Sequence, residues 1–339
     1  MVKDRWNRVG VLTPKRMTNL VKLHTSYRKA RRTGRPVMPV NAMPTSLSIE
    51  PTTSCNLRCP ECPSGLRSFT RPTGMLDTQS AIQWVDDLAP WLTYVNLYFQ
   101  GEPLLHPGLE DLIAACSRHG LYSSTSTNAH HLTDDRCQKI VSSGLRRLII
   151  SIDGLTQETY SSYRVGGSLN KVMEGTQKMV EAKRKLGNGP HLVWQFLVVG
   201  PNEHEVADLL RTARVFGVDE VEIKTAQLEA PRDDHPLLTQ SPQHRRYDRD
   251  PVTGKWTLRN NLEDACWRMW QGAVITWDGK VVPCCFDKDA HNVMGNLKQQ
   301  AMTDIWHGDA YKSFRSALFA DRAGIPMCTN CSEGSHVYA

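Results

Sequence analysis

Three cysteines lie close together after the first stretch of regular pattern in the chain. Cys55, Cys59 and Cys62 have the spacing CxxxCxxC and follow residues 46–50, where apolar and polar residues alternate as in a strand. Three thiolates on one short loop can surround a soft metal centre. A structural zinc site needs four ligands, and the sequence near this loop offers no fourth Cys or His. A four-iron cluster held by three cysteines leaves one iron open to bind a substrate.

A second cysteine group lies in the last quarter of the chain. Its spacing is C-x17-C-x43-C-x2-C, and its members are Cys266, Cys284, Cys328 and Cys331. Four thiolates from two distant segments suit a fully ligated metal site that stabilises a small domain. On spacing alone, zinc explains this group about as well as an iron–sulfur cluster does. Cys285 is an alternative ligand to Cys284, whereas Cys116 and Cys137 fall in helical patterns and are predicted to be small buried hydrophobic residues.

Composition excludes several classes of protein. The 339 residues are 40% hydrophobic and 22% charged, which excludes a disordered chain, a collagen and a coiled coil. No apolar run approaches the ~18 residues of a transmembrane helix, and the N-terminus lacks the apolar core of a secretory signal. We therefore expect a cytoplasmic, reducing location, in which metal or redox chemistry explains clustered cysteines better than disulfides do.

The positive charge is concentrated at the N-terminus. Residues 1–35 contain eleven Lys or Arg residues and one Asp, a net charge of +10, whereas the rest has 30 basic and 34 acidic residues. We therefore expect no nucleic-acid-binding core. Met17, Leu20, Val21 and Leu23 predict one short amphipathic helix, laid on the body with its basic face in solvent. An anionic membrane surface or an acidic partner protein are the alternatives for this arm.

Strands and helices alternate from residue 46 to about residue 226. Glycines follow several of the helical patterns, as they do at helix C-termini, and six predicted strands are separated by helices at spacings that suit right-handed βαβ units. We expect a parallel sheet curled toward a barrel, with ligands at the C-terminal ends of its strands. A polar loop is predicted over 231–251, then a hairpin with its turn at Asp278-Gly279, and a last helix over 303–319.

The cysteine triplet loop resembles that of the radical S-adenosylmethionine (AdoMet) superfamily. In that family CxxxCxxC follows the first strand of a partial (β/α)6 barrel, and Asn56, Leu57 and Pro60 match the usual filling of the loop. The resemblance implies that the three cysteines hold a [4Fe–4S] cluster whose open iron chelates AdoMet. It also implies the reaction, in which one electron from the cluster cleaves AdoMet to methionine and a 5′-deoxyadenosyl radical that abstracts hydrogen from a substrate.

Further matches follow the next three predicted strands in order. The segment 100–103, Gln-Gly-Glu-Pro, resembles the family's GGEP motif, whose backbone receives the AdoMet amino group, with Gln in place of the first Gly. Thr127-Asn128 stands where the family has Thr-Asn-Gly, and 151–154 resembles its Ser-x-Asp-Gly. Arg164 matches a position whose guanidinium pairs with the AdoMet carboxylate, a bidentate task that suits Arg. The resemblance thus implies a set of AdoMet-binding residues: Gly101, Glu102, Pro103, Asn128, Ser151, Asp153 and Arg164.

The C-terminal cysteine group resembles the SPASM/twitch extension of radical AdoMet enzymes. Cys266-x12-Gly279-x4-Cys284 is followed by Gly295-Asn296-Leu297, by Ile305-Trp306 and by the closing CxxC. That extension carries auxiliary [4Fe–4S] clusters, and its full form uses more cysteines for two of them. The four cysteines here imply one auxiliary cluster. The tryptophans of this region are predicted to form the core that shields it from water: Trp256, Trp267, Trp270, Trp277 and Trp306.

The resemblance covers roughly residues 46–339 and implies an α/β fold. We expect a partial (β/α)6 barrel of the radical SAM type followed by a small β-hairpin/helix iron–sulfur domain. The predicted divisions are a basic N-terminal extension and linker over 1–45, the barrel over 46–230, a linker over 231–254 and the SPASM/twitch domain over 255–339.

The implied function is a two-electron oxidation aided by the auxiliary cluster. Hydrogen-atom abstraction would be followed by deprotonation and by electron transfer to that cluster. The base is left open among Glu102, His106, His130 and His131, which lie near predicted strand ends. A sugar-like or other small-molecule substrate is favoured over a peptide, because residues 1–45 are too short for a peptide-binding winged-helix domain. A reductant such as flavodoxin or ferredoxin is the expected partner.

Three other functions are considered. A zinc-binding interaction protein would explain both cysteine groups but leaves Gly101-Glu102-Pro103 and 151–154 without a role. A radical SAM maturase that modifies a peptide or protein is compatible with the same motifs. Methyl transfer from AdoMet is disfavoured, because the chain length leaves no room for a separate cobalamin-binding domain.

Overall fold

Residues 9–259 and 262–331 are described by a computed structural model. The strands in these ranges are β1 (Ser46–Ile49), β2 (Tyr94–Asn96), β3 (Tyr122–Thr127), β4 (Arg147–Ser151), β5 (His191–Val198), β6 (Glu220–Thr225), β7 (Tyr247–Arg249), β8 (Trp256–Leu258), β9 (Gly272–Ile275), β10 (Lys280–Val282) and β11 (Gly295–Asn296). The α-helices are α1 (Pro14–Thr33), α2 (Pro63–Leu66), α3 (Thr78–Leu88), α4 (Leu109–Arg118), α5 (Asp134–Ser142), α6 (Gln157–Tyr163), α7 (Leu169–Leu186), α8 (Val206–Phe216), α9 (Arg268–Gln271), α10 (Met302–His307) and α11 (Asp309–Ala320).

The helices between strands begin and end where the sequence supplies caps. The side chains of Asp77, Thr133 and Ser168 accept hydrogen bonds from the first turns of α3, α5 and α7. Gly187 and Gly217 end α7 and α8 in the left-handed conformation, in which a glycine carries no Cβ penalty. These local signals explain why strands and helices alternate in the structure as the sequence predicts.

Nine of the described strands form one sheet, in the order β11-β10-β9-β1-β2-β3-β4-β5-β6. Strands β1 to β6 are successive neighbours, and every pair among them is parallel. Helices connect them, so this part is a succession of βαβ units in which the carboxyl ends of all six strands lie at one edge. The predicted mixed α/β fold with a largely parallel central sheet is therefore confirmed.

The two faces of this sheet differ in chemistry. Side chains on the outer face, such as Leu47, Val95, Leu148 and Trp194, pack with the helices in the main hydrophobic core. The inner face carries polar residues, and one register row crosses five strands: Ser48, Asn96, Ser124, Arg147 and His191. Parallel sheets usually bury apolar side chains on both faces, so the inner face is adapted to polar contacts.

The C-terminal hairpin extends the same sheet. Strand β9 pairs in parallel with β1, and a Cβ on Gly272 would lie 2.6 Å from the carbonyl oxygen of Ser46. Strand β10 returns antiparallel to β9 across the predicted turn, where Gly279 has φ +86°. The predicted hairpin is confirmed. The pairing of β9 with β1 adds this hairpin to the sheet beside its first strand.

Two local predictions are wrong. The helix predicted over 303–319 is two helices, α10 and α11, because Gly308 takes an extended conformation between them. The predicted loop over 231–251 contains strand β7, which pairs with β8 in a separate two-stranded sheet. Short polar strands such as Tyr247–Arg249 carry no alternating pattern that distinguishes them from a loop.

The N-terminal arm is a long helix that is packed into the molecule. Helix α1 runs for 20 residues, and Leu23, Tyr27 and Ala30 are fully buried against Trp267 and Trp270. Its basic side faces solvent, as predicted, but its apolar side completes the core around the second cysteine group. The prediction for residues 1–8 of the arm lies outside the described residues, as does that for 332–339.

A buried ion pair joins the loop after β1 to the C-terminal hairpin. The carboxylate of Glu50 is fully buried and accepts hydrogen bonds from Arg71 Nη1 at 2.8 Å and Nη2 at 2.5 Å. The same carboxylate accepts a bond from the backbone N–H of Trp277 at 3.2 Å, and Asp289 accepts bonds from the backbone N–H groups of Thr70 and Arg71. The segment that follows the cysteine triplet is thus held against the hairpin.

The described residues contain no helix with the length and apolar character needed to span a bilayer.

Replacing Arg71 by Met is expected to destabilise the protein strongly, because Glu50 would remain buried without its partner. Breaking a buried ion pair costs roughly 3–5 kcal/mol, which corresponds to a fall in Tm on the order of 5–10 °C for a chain of this size. The matched control is Arg118→Met, since Arg118 pairs with Asp86 at the exposed surface and such pairs contribute about 0–1 kcal/mol. Equal Tm values for the two variants would contradict the role given to Glu50–Arg71.

Candidate functional site

The three cysteines of the triplet lie in the wall of one cavity at the carboxyl ends of β1 to β4. The cavity has a volume of about 190 Å³. Its wall brings together the loop after β1, the turn after β2 and the ends of β3 and β4. The lining residues that the sequence predicted are Cys55, Cys59, Cys62, Gly101, Glu102, Pro103, Asn128, Ser151 and Arg164. Tyr98, Phe99 and Ser126 also line it and were not predicted. Of the predicted binding residues, Asp153 lies behind the wall.

The three thiols at this cavity differ in exposure, since Cys59 is buried and Cys55 and Cys62 are half-buried. Cys59 is 5% exposed, and burial raises its pKa, while the neighbouring Arg164 guanidinium acts in the opposite direction. Burial raises the pKa of Cys55 to about 11. Thiols with such pKa values are protonated at neutral pH, and a bound cationic metal centre takes the place of the protons. The site therefore suits a soft metal centre better than a free nucleophilic thiolate.

The Gly-Glu-Pro turn is locked against the cysteine loop. Gly101 has φ +73°, and a Cβ there would lie 2.2 Å from the carbonyl oxygen of Thr52, so no other residue fits. Its N–H donates to Ser64 Oγ at 2.8 Å, and the N–H of Glu102 donates to the carbonyl of Ser54 at 2.8 Å. The turn and the loop consequently form one rigid wall of the cavity.

Glu102 acts within this wall through its carboxylate. The side chain is buried and accepts hydrogen bonds from Thr127 Oγ1 at 2.7 Å, from the Asn128 N–H at 2.8 Å and from the Leu104 N–H at 3.1 Å. The carboxylate therefore joins the end of β3 to the turn after β2. Among the candidates for a base, Glu102 is thus engaged in holding the site together.

Two histidines proposed as bases have both ring nitrogens in use. His106 Nδ1 accepts from the Gly108 N–H at 3.1 Å, so Nε2 carries the proton and donates to the carbonyl of Leu76 at 2.8 Å. His130 Nε2 accepts from the Ser168 N–H at 2.8 Å, so Nδ1 donates to the carbonyl of Asn128. Both side chains orient backbone, and His131 is not part of the cavity wall.

Arg164 reaches the cavity because Asp153 holds it. The guanidinium Nε donates to Asp153 Oδ2, and Nη1 lies 3.8 Å from Cys59 Sγ. Asp153 is fully buried, and its other oxygen accepts from the N–H of Leu197 at 2.7 Å. Burial alone would lower the pKa of Arg164, but the Asp153 carboxylate raises it well above its ordinary value. The structure thus presents a fixed cation beside the cysteine triplet.

The second cysteine group is also brought together. Cys266, Cys284, Cys328 and Cys331 are all buried, with exposed fractions of 4–8%. Arg322 is buried among them and donates to Cys331 Sγ at 3.5 Å. Burial lowers the pKa of its guanidinium, but the electrostatic influence of Cys266, Cys331 and Cys328 raises it overall. No sequence pattern pointed to Arg322, whose guanidinium supplies positive charge to this thiol cluster.

The neighbouring residues Cys284 and Cys285 differ in how much of the side chain is exposed. Cys284 is buried in the same cluster as Cys266, and its pKa is raised by a hydrogen bond with Cys285 and by burial. Cys285 is only half-buried, and its charge influences Tyr98 of the cavity wall. Cys116 and Cys137, by contrast, are fully buried in the main core as predicted.

The five tryptophans are divided among different parts of the molecule. Trp267 and Trp270 pack around Cys266 and Cys284, as predicted. Trp306 belongs to the main core, Trp256 packs near the cysteine triplet, and Trp277 packs on Gly74. The prediction of one shielding core of five tryptophans is therefore wrong, since only Trp267 and Trp270 belong to the cluster of Cys266 and Cys284.

Within 9–259 and 262–331, no three Cys, His, Asp or Glu side chains converge as ligands of a single metal ion.

Comparison with known proteins identifies the family. The model of the radical SAM superfamily matches residues 49–213, and that of the SPASM iron–sulfur cluster-binding domain matches residues 266–332. The chain belongs to the radical SAM superfamily. It is an enzyme of the oxidoreductase or maturase type that uses AdoMet and a [4Fe–4S] cluster, and its SPASM domain binds auxiliary iron–sulfur clusters.

Two characterised relatives are similar over most of their length. The tungsten-containing aldehyde ferredoxin oxidoreductase cofactor-modifying protein of Pyrococcus furiosus is 24% identical over 84% of this chain and 86% of its own. The S-adenosyl-L-methionine-dependent 2-deoxy-scyllo-inosamine dehydrogenase of Niallia circulans is 23% identical over 85% of this chain and 93% of its own. These radical SAM relatives therefore differ among themselves in what they act on.

A solved structure shows the same fold. Streptococcus suis SuiB bound to S-adenosylmethionine superposes with a TM-score of 0.62 at 14% identity, over 92% of this chain and 76% of that one. SuiB bound to its precursor peptide SuiA gives a TM-score of 0.61 at 13% identity, over 86% and 70% of the two chains.

Proposed function

We propose that this radical SAM enzyme oxidises a small, polar, sugar-like molecule by two electrons. The observation that carries the proposal is the single cavity that joins the cysteine triplet to the turn 101–103, Asn128, Ser151 and Arg164. These groups come from four successive strand ends, where a parallel barrel places its active site. Together they supply the soft donors, backbone polar groups and fixed cation that an iron–sulfur cluster and an amino acid-like cofactor need.

Within this cavity, Cys55, Cys59 and Cys62 would hold the catalytic [4Fe–4S] cluster. When bound, the cluster and AdoMet supply a radical that removes a hydrogen atom from the substrate. Arg164 would pair with the AdoMet carboxylate, and Asp153 fixes the orientation of its guanidinium. Asn128 and Ser151 offer neutral hydrogen-bonding groups at the same wall. Burial of Cys59 limits access of water to that side of the reacting centre.

The second thiol cluster would hold one auxiliary [4Fe–4S] cluster that accepts the electron left on the substrate. Cys266, Cys284, Cys328 and Cys331 provide four buried ligands, which leaves no open iron. We assign Cys284 rather than its neighbour Cys285 as the ligand, because Cys284 is buried in the cluster of Cys266, whereas Cys285 is partly exposed and packs against the margin of that cluster. We also propose a reducing, cytoplasmic compartment, in which cysteine thiols stay available as ligands.

The polar inner face of the sheet supports a hydroxyl-rich substrate. In register with Ser151 of the cavity wall lie Gln195 of β5 and Glu222 of β6. The charges of this face are matched to one another, since Arg147 donates to Glu220 at 3.2 Å and to Glu222 at 2.5 Å. Amide and hydroxyl groups then remain to recognise a neutral polar ligand. This arrangement suits a sugar or cyclitol better than an apolar side chain.

The proposal is tested by anaerobic reconstitution of the purified protein. We expect about eight irons and eight sulfides per chain, and 5′-deoxyadenosine after addition of dithionite and AdoMet. Four irons per chain together with cleavage of AdoMet would contradict only the assignment of the auxiliary cluster. A colourless protein that contains zinc and forms no 5′-deoxyadenosine would contradict the assignment of both thiol clusters.

Replacing Cys59 by Ala is expected to abolish 5′-deoxyadenosine formation, because only two thiols then remain at the cavity. The auxiliary site should be retained, so about half of the iron should stay bound, as measured by chemical iron analysis. Cys116→Ala is the control, since Cys116 is buried in the main core away from the cavity. Undiminished cleavage by Cys59→Ala would overturn the ligand assignment.

Replacing Cys328 by Ala is expected to lose roughly half of the iron while AdoMet cleavage without substrate oxidation continues. The electron left on the substrate would then lack its acceptor. Cys285→Ala, at a cysteine outside the proposed ligand set, should retain full iron content. If Cys285→Ala loses iron and Cys328→Ala does not, the proposed ligand set is incorrect.

The substrate class is tested with deuterated candidates. A panel of deuterated cyclitols and sugars is tested. At least one of them is expected to transfer deuterium into 5′-deoxyadenosine, which mass spectrometry detects. Gln195→Leu should raise KM for that substrate about tenfold or more, since a buried polar contact is removed, while cleavage of AdoMet alone is unchanged. Deuterium transfer from a labelled peptide and from none of the sugars would instead identify a peptide-modifying maturase.

A further inference from the structure

A groove lies on the outer side of helix α1, between the helix and the segment 35–39. It has a volume of about 810 Å³, and its walls include Val21, Lys22 and Lys29 of the helix and Arg35, Val37 and Pro39 of the segment. We call it the basic groove. It lies apart from the AdoMet cavity, and the proposed reaction gives it no role.

The chain segment that forms the basic groove contains basic residues and no acidic ones. Residues 9–45 contain eight Lys or Arg residues and no Asp or Glu. Two of the eight are used elsewhere, since Arg16 is buried against the carbonyls of Ala89 and Val11, and Arg31 pairs with Glu263 at 2.8 Å. The other six are exposed. Lys22, Lys29 and Arg35 line the groove, Arg28 and Arg32 lie on the same helix, and Lys15 lies over the ring of Trp91 near the start of that helix. A partner for this surface must be acidic.

The distribution of apolar residues favours a protein over a membrane. An interfacial helix places its apolar face in the lipid, but the apolar face of α1 is already buried inside the molecule through Leu23, Tyr27 and Ala30. On its outer side, Val21 and Val37 form an apolar centre at the groove beside Lys22, Lys29 and Arg35, and Met17 and Val40 of the same segment are also exposed. An apolar centre with a charged rim is typical of transient protein interfaces, and those between redox proteins are among the smallest.

The proposed auxiliary site lies directly beneath the basic groove. The indole N–H of Trp270 donates to Ser26 Oγ at 2.9 Å, and Ser26 Oγ donates to the carbonyl of Val37 at 2.5 Å in the groove wall. The ring of Tyr27 lies 5.4 Å from that of Trp267 and 5.3 Å from that of Trp270. Both tryptophans pack with Cys266 and Cys284. A single helix, about 10 Å across, therefore separates the groove from the buried thiols.

We propose that the basic groove is the docking surface of a small acidic protein that carries a one-electron redox group. This inference rests on the proposed auxiliary cluster. When the substrate radical loses a proton and an electron, the electron reaches the auxiliary cluster, which then reduces the oxidised group of the docked carrier by one electron. The basic rim attracts the carrier, and the aromatic side chains beneath α1 fill the short path between the two redox groups.

The test measures electron transfer from the reduced holoenzyme to an acidic carrier. The enzyme is reduced with dithionite, freed of excess reductant and mixed in a stopped-flow instrument with an oxidised flavodoxin as the probe. The variant combines Lys22→Glu, Lys29→Glu and Arg35→Glu. The matched control combines Lys171→Glu, Arg184→Glu and Lys185→Glu on α7, whose side chains are also exposed.

We expect charge reversal at the groove to lower the second-order rate constant of flavodoxin reduction at least tenfold at low salt. The wild-type rate should fall steeply with ionic strength and the groove variant's rate should not, because steering by rim charges is lost. The control variant should remain within about twofold of the wild type. The measurement is repeated with Cys59→Ala, which retains only the auxiliary cluster. Charge reversal at the groove should lower the rate constant in this background as much as it does in the wild-type background.

Three results would overturn the inference. The first is an equal rate constant for the groove and control variants. The second is binding of phosphatidylglycerol-containing vesicles that is lost in the groove variant while electron transfer is unaffected, which would identify a membrane surface. The third is loss of the dependence on groove charges in Cys59→Ala, which would place the electron exit at the catalytic cluster. Dithionite-driven cleavage of AdoMet continues in the wild type and in the groove and control variants whatever the outcome, so failure of this inference is distinguishable from failure of the proposed function.

Discussion

The buried pair between Glu50 and Arg71 is the contact on which the relation between the two cysteine groups depends. Glu50 directly follows β1 and precedes the triplet, and Arg71 follows the triplet loop. The Glu50 carboxylate also accepts a hydrogen bond from the backbone N–H of Trp277. A fully buried carboxylate is tolerable only when its oxygens are paired. The requirement to satisfy Glu50 therefore holds three segments together, and the parallel pairing of β9 with β1 completes the junction. The hairpin of the SPASM domain is thus part of the barrel's own sheet.

Around the cavity, charged residues act mainly as supports. Glu102 joins the turn after β2 to the end of β3, and Asp153 holds Arg164 beside Cys59. His106 and His130 fix backbone segments through both ring nitrogens. A preorganised site of this kind keeps its cation and donors in place before any ligand arrives. In the proposed oxidation, the group that accepts the substrate proton would then lie outside this set of supports, on the polar inner face beyond Ser151.

The N-terminal helix has two roles that share no residues. Its inner side, with Leu23, Tyr27 and Ala30, closes the core around the second cysteine group. Its outer side carries the basic groove, in which Lys22 and Lys29 alternate with those apolar positions. The same helix therefore shields a buried thiol cluster and offers a charged surface about one helix diameter away. The fold thus brings together two segments that are far apart in the sequence, the basic arm and the C-terminal cysteines.

The sequence by itself determined the succession of strands and helices, the cysteine spacing and the hairpin turn, because these depend on local periodicity, caps and residues such as Gly279. The resemblance of its motifs to the radical SAM family also pointed to Gly101, Asn128, Ser151 and Arg164, which line one cavity in the structure. The tertiary structure alone decided that Asp153 stands behind Arg164, that Arg322 enters the second thiol cluster and that α1 covers it. These contacts join residues far apart in the chain, and no local pattern specifies which distant segment a side chain will meet.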